Sequence, residues 1–128
     1  MTKLLTILRN DRGAAAIEMA FAVPILAVFL WGIFEIGIMF QANAGMQHAL
    51  GEGARYATLW PAPSNAQIKQ RIQDKVFGVG VGDFTAADPV NGSNYKDLSV
   101  TFTMETNFLF FRGPDIDITR SKRVYIAS

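Results

Sequence analysis

The sequence predicts an α+β protein. A long N-terminal transmembrane helix continues into a small domain with a short helix and an antiparallel β-sheet. Three observations predict this. From Met19 to Phe34 there are 16 residues without a charge. Charge is unevenly spread, with eight charged side chains in the first 60 residues and fifteen in the remaining 68. Leu98, Val100, Phe102 and Met104 alternate with Ser99, Thr101, Thr103 and Glu105, the period of a half-buried strand.

The segment 1–13 is a short basic leader carrying Lys3, Arg9 and Arg12. The transmembrane helix is read as 14–40. These 27 residues reach about 40 Å at ~1.5 Å per residue, which crosses a hydrocarbon core of ~30 Å. A cleaved secretory signal fits less well, because its apolar region runs to only about 15 residues. Between Gly13 and Gln67 the only Lys or Arg is Arg55. The basic leader therefore stays in the cytoplasm, and 41–128 forms an extracytoplasmic domain.

Beyond the membrane the helix is expected to run on to Trp60 and to stop at Pro61 and Pro63. Pro24 removes one backbone hydrogen bond inside the apolar stretch, so a kink or local melting is expected there. Gly45, Ala49, Gly53 and Ala57 recur every fourth residue. This small-residue stripe packs either against a neighbouring subunit's helix or against the chain's own sheet. Ser64 and Gln67 fit a capping box. Ile68, Ile72 and Val76 follow at helical spacing, so a short helix is expected over Asn65–Phe77 with Gly78 as its C-cap.

Gly78 to Gly82 reads as a flexible connector. It has no GKS or GKT tail to make a phosphate cradle. Asp88-Pro89 and Asn91-Gly92 mark turns. After the strand at Leu98–Met104, Phe108 to Phe111 is a second apolar run, read as core or sheet rim with a binding patch as the alternative, and ended by Gly113-Pro114. Alternation resumes at Ile116 and Ile118 and again at Val124 and Ile126. The apolar face of this sheet needs a cover, and the Ala/Gly-rich end of the long helix supplies one.

Composition excludes several classes. With no cysteine and one histidine, His48, thiol catalysis, disulfides and His or Cys metal sites are not expected. Net charge is +1 and there is no basic track, so no nucleic-acid partner is expected. Arg120, Lys122 and Arg123 read as a solvated strand face. No catalytic set emerges from the serines and carboxylates, and neither an enzyme nor a cofactor is expected.

The residues that carry mechanism are Gly13, Ala14 and Glu18. An acid at the start of a membrane helix is costly and points to a function. Cutting the chain after Gly13 would give Ala14 a free ammonium. Ala14 and Glu18 are spaced i, i+4 and share a helix face. Glu18 could pair within its own chain or with the amine of the preceding subunit. The second arrangement sets the register between subunits, because a buried unpaired acid penalises every other offset. This reading makes the chain a prepilin. Glu35 is a second intramembrane acid, about 25 Å further along at ~1.5 Å per residue. It is read as reaching water at the outer interface, with contact to a partner protein in assembly as the sharper alternative.

Three segments occur in a telling order: Arg12-Gly13-Ala14-Ala15-Ala16-Ile17-Glu18-Met19-Ala20 with Pro24, then Gly32-Ile33-Phe34-Glu35-Ile36-Gly37, then Glu52-Gly53-Ala54-Arg55-Tyr56-Ala57. Together they resemble the TadE-like family, minor pseudopilins of the bacterial tight-adherence (Flp) pilus, a type IV-related system. The resemblance implies a pilin-like fold, processing by a prepilin peptidase after Gly13, and residence in the inner membrane. It also implies a part in starting or supporting pilus assembly, alongside other pilins and the assembly platform. The major pilin of such systems is shorter and has Glu-Tyr after the cut, whereas Met19 follows Glu18 here. The competing reading is a signal-anchored extracytoplasmic binding domain unrelated to pili.

Overall fold

A single continuous helix, α1 (Asp11–Ala57, 47 residues), runs through both the apolar stretch and the start of the domain. The computed structural model describes residues 11–126, so Lys3 and Arg9 of the basic leader lie outside the described residues. Helix α2 (Asn65–Lys75) follows, then strands β1 (Asp83–Ala86), β2 (Val90–Asn91), β3 (Tyr95–Phe108) and β4 (Phe111–Tyr125). The α+β layout expected from the sequence is therefore observed.

Helix α1 is helical through Pro24, so the expected local melting does not occur. The missing N–H costs one bond, and the helix continues on both sides. The helix also ends at Ala57 rather than Trp60. Thr58 ends it by returning both its N–H (3.3 Å) and its hydroxyl (2.8 Å) to the Arg55 carbonyl.

In α2 the capping box forms as expected. The Gln67 N–H donates to Ser64 Oγ at 3.2 Å, and the Ser64 N–H donates to Gln67 Oε1 at 2.9 Å. The helix stops at Lys75, and Val76 is the extended C-cap instead of Gly78. The chain must turn early because the Phe77 backbone lies against Gly45 of α1.

The sheet is antiparallel with four strands. Strand β4 pairs along the length of β3, while β1 and β2 share the other edge of β3, opposite Val100–Thr103 and Lys96–Asp97. The short strands β1 and β2 were not foreseen. Gln73 of α2 holds β1 through both its amide groups, donating to the Phe84 carbonyl at 2.8 Å and accepting the Ala86 N–H at 2.9 Å. Gly82 enters β1 with φ +81°, a conformation that L side chains avoid, and a Cβ there would meet Phe102 at 2.6 Å.

Gly113-Pro114 does not end a strand. It forms a bulge inside β4, where the register to β3 shifts between Glu105 and Asn107. Proline is tolerated in a sheet at such a place. Thr106, opposite the bulge, is buried and its hydroxyl donates to the Pro114 carbonyl at 2.6 Å.

The core lies between α1, α2 and one sheet face. Ile38, Ala42, Met46 and Leu50 of α1 meet Leu98, Val100, Phe102 and Met104 of β3, with Ile68 and Ile72 of α2 closing one side. The long helix thus covers the sheet with its second half.

Candidate functional site

The first half of α1 leaves its apolar side chains uncovered. Phe21, Ile25, Phe29 and Leu30 are all more than half exposed. It is long and apolar enough to cross a membrane. Gly13, Ala14 and Glu18 lie on this part of α1, all exposed. Glu18 has no hydrogen-bond or ion-pair partner among the described residues. A Cβ at Gly13 would meet nothing within 4 Å. Glycine inside a helix costs about 1 kcal/mol relative to alanine, and among the described residues no packing contact calls for glycine at that position.

Within the two turns before the core begins at Ile38, α1 is tied to the far end of the sheet. Glu35 is only 8% exposed. Its Oε1 accepts Trp31 Nε1–H at 3.1 Å and the Asn107 N–H at 3.2 Å. Trp31 Nε1 also donates to the Asn107 carbonyl at 2.6 Å. The expected water contact of Glu35 is therefore corrected. A buried carboxylate needs donors, and the β3–β4 hairpin supplies one from its backbone. Trp31 and Asn107 were missed in the sequence. The i, i+4 spacing of Trp31 and Glu35 was the available signal for one of them, while Asn107 had none.

Further along, the small-residue stripe is occupied within the chain. A Cβ at Gly45 would lie 1.9 Å from the Phe77 carbonyl oxygen, and one at Gly53 would lie 2.4 Å from Ile72 Cγ1. Ala49 and Ala57 are buried in the same core. The stripe lets α2 and its exit segment approach α1 closely. Between these residues Glu52 receives Arg55 at 3.3 Å and Arg71 of α2 at 3.4 Å. The hydrogen bond from Arg55 is the largest influence holding the Glu52 carboxyl below its ordinary range, with the charge of Arg71 assisting.

Arg120, Lys122 and Arg123 are exposed, as expected, but they do not share one face; the first two sit beside α1. They lie on the helix-facing side of β4, in register with Val100 and Leu98. Arg120 Nε donates to Asn43 Oδ1 of α1 at 2.6 Å, and Lys122 Nζ lies near Gly51. Their stems cover α1 while their heads reach water. Arg123 faces away and grips Asp97 with two bonds, 2.7 and 2.8 Å. His48 is exposed and stands 5.7 Å from the Phe77 ring. Among the described residues no cluster of His, Cys, Asp and Glu could hold a metal ion.

The site is therefore a helix surface with three stations: an exposed acid near its start, a buried acid at its middle, and a paired acid at its end. The family model for TadE-like proteins matches residues 13–55. Over these residues α1 is similar to that family. The match spans all three stations and is consistent with a TadE-like protein of the Tad pilus system. It stops before α2 and the sheet. Neither the comparison with curated proteins nor that with solved structures gives a match. Within the matched segment, the part from Ile38 onward is spent on the chain's own core, and the part before Trp31 leaves most of its apolar side chains exposed.

Proposed function

We propose that this chain is a minor pseudopilin that supports initiation or assembly of a tight-adherence pilus and is matured by a prepilin peptidase that cuts after Gly13. It sits in the bacterial inner membrane as a single-pass protein with its C-terminal domain outside the cytoplasm. Its partners are the peptidase, other pilins and pseudopilins, the assembly platform and membrane lipid.

The observation that carries this reading is the state of Gly13 and Glu18. Glycine at 13 is unexplained by packing, and Glu18 finds no partner among the described residues. Both features become useful together once the chain is cut, because the new Ala14 ammonium is the natural partner of a Glu18 carboxylate. The TadE-like match across residues 13–55 supports the pilus context. A minor role follows from size. The sheet domain beyond Pro61 would crowd a thin filament if it stood at every position.

Deleting the gene and weighing the filaments tests the role. Pili should be lost or sharply reduced in the deletion strain. Quantitative mass spectrometry of sheared wild-type pili should find this chain in trace amounts. Equal abundance with the main filament protein would make it a major pilin. Undiminished pili in the deletion strain would favour an anchored domain unrelated to them.

A further inference from the structure

We propose that the tip of the β3–β4 hairpin, Phe108 to Phe111, inserts into the lipid leaflet beside α1 as a second membrane contact. This rests on the reading of α1 as membrane-spanning. The hairpin descends alongside the helix. Asn107 stands level with Trp31 and Glu35. The Phe108 ring lies 3.9 Å from where a Cβ at Gly32 would be. Phe110 shares a shallow apolar recess with Pro24, Ile25 and Val28. Those three helix residues belong to the charge-free stretch that enters the membrane.

The chemistry of the tip matches that position. A turn in water takes Gly, Asn, Asp or Ser, yet this one is Leu109-Phe110. Leu109, Phe110 and Phe111 are 50%, 70% and 57% exposed, and Phe108 stacks on Phe111 at 4.9 Å between ring centroids. Charges begin immediately above, where Arg112 pairs with Glu105 at 3.1 Å and with Asp115 at 3.3 Å. They stop the hairpin from sinking further, as does the unpaired edge of β4, which hydrocarbon does not tolerate. From Asn107 to the turn at Leu109-Phe110 is about 7 Å at ~3.3 Å per residue. Apolar faces at a bilayer surface are immersed to roughly that depth.

The helix places the boundary at the same level. Ala14 to Phe34 is 21 residues, about 31 Å at ~1.5 Å per residue, which matches a ~30 Å core. Trp31 is a residue type enriched at that boundary. A tip held beside such a helix, inside its apolar length, faces acyl chains.

The chain has no cysteine, so single-site probes are direct. Full-length protein carrying Ala22→Cys, Leu109→Cys, Phe110→Cys or Ser93→Cys would be labelled with an environment-sensitive fluorophore. Each would be reconstituted into phosphatidylethanolamine–phosphatidylglycerol vesicles with nitroxide lipids, shallow or deep. Probes at 109 and 110 should lose most of their emission to the shallow nitroxide and less to the deep one. The probe at 22 should be quenched and that at 93, beyond the opposite end of β3, should not. Unquenched 109 and 110 beside a quenched 22 would overturn the proposal and leave the spanning helix intact. An unquenched 22 would overturn the spanning reading itself, and the proposal with it. Disulfide-linked dimers through 109 or 110 without lipid quenching would seat the tip on a neighbouring subunit, and that too would overturn it.

Discussion

Glu35 Oε1 accepts the backbone N–H of Asn107 at 3.2 Å across 72 positions of sequence. The same oxygen takes the Trp31 indole, whose Nε1 also reaches the Asn107 carbonyl. These bonds pin the end of a long hairpin to the helix at the point where the core gives way to uncovered apolar surface. Glu35→Ala should lower the unfolding free energy of the full chain in detergent by about 1 kcal/mol, because the Asn107 N–H loses its acceptor. Glu35→Gln keeps an oxygen and should retain most of the stability. Unfolding of Glu35→Ala at the parent's denaturant concentration would show that the junction is held by packing alone.

Two glycines of α1 should respond oppositely to alanine. A methyl group at Gly45 would collide with the Phe77 backbone, whereas one at Gly37 meets nothing within 4 Å. Gly45→Ala should destabilise by roughly 1–3 kcal/mol, the usual cost of overpacking. Gly37→Ala should be neutral or add up to about 1 kcal/mol from helix propensity. Thermal unfolding of the two variants side by side checks this, and equal midpoints would contradict the close approach of α1 to the segment after α2.

Legibility in the sequence followed periodicity. The 16-residue charge-free run, the Ser64–Gln67 capping box and the alternation from Leu98 to Met104 are local signals, and each became the element that it implied. What failed was set by contacts distant in sequence. Phe108–Phe111 read as core or rim, but Leu109-Phe110 is a turn at the hairpin tip, left exposed beside Pro24 and Val28. Arg120, Lys122 and Arg123 are solvated as read, but the strand alternation puts Arg120 and Lys122 on the side of α1, where Arg120 reaches Asn43. Gly113-Pro114 read as a stop because a proline before a strand and a proline in a bulge look alike in one dimension. At the candidate site, Gly13 and Glu18 are singled out by spacing alone and the fold adds no contact to them, whereas the partner of Glu35 was a backbone group, which sequence does not mark.

Asp97 and Arg123 give a pH signature outside the membrane segment. The paired hydrogen bonds from Arg123 hold the Asp97 carboxyl below its ordinary value of 3.8. A lowered folded value means that the pair stabilises fully above that ordinary value and that its contribution is lost as pH falls through the folded one. Arg123 is raised and stays charged throughout. Asp97→Asn should lower stability slightly at neutral pH and flatten the decline on acidification. Both groups are half in water, so the effect should shrink in high salt. Denaturation midpoints followed from neutral pH to about pH 2 test it, and an unchanged acid slope in Asp97→Asn would contradict it.

Glu18 should matter for assembly and not for folding, since it is exposed and has no hydrogen-bond or ion-pair partner among the described residues. Glu18→Ala should fold, insert and be cut as the parent is, yet fail to restore pili to a deletion strain. Normal piliation would reduce Glu18 to an interfacial passenger and remove the registration role.

Processing after Gly13 underlies the rest of the account, because only the cut creates the ammonium that Glu18 would meet. Intact-mass measurement of the chain purified from its native host's membranes is the most direct test. The predicted result is a mature protein beginning at Ala14, with Gly13→Arg accumulating at full length. A wild-type chain that retains Met1 to Gly13 in a host with an active prepilin peptidase would contradict it.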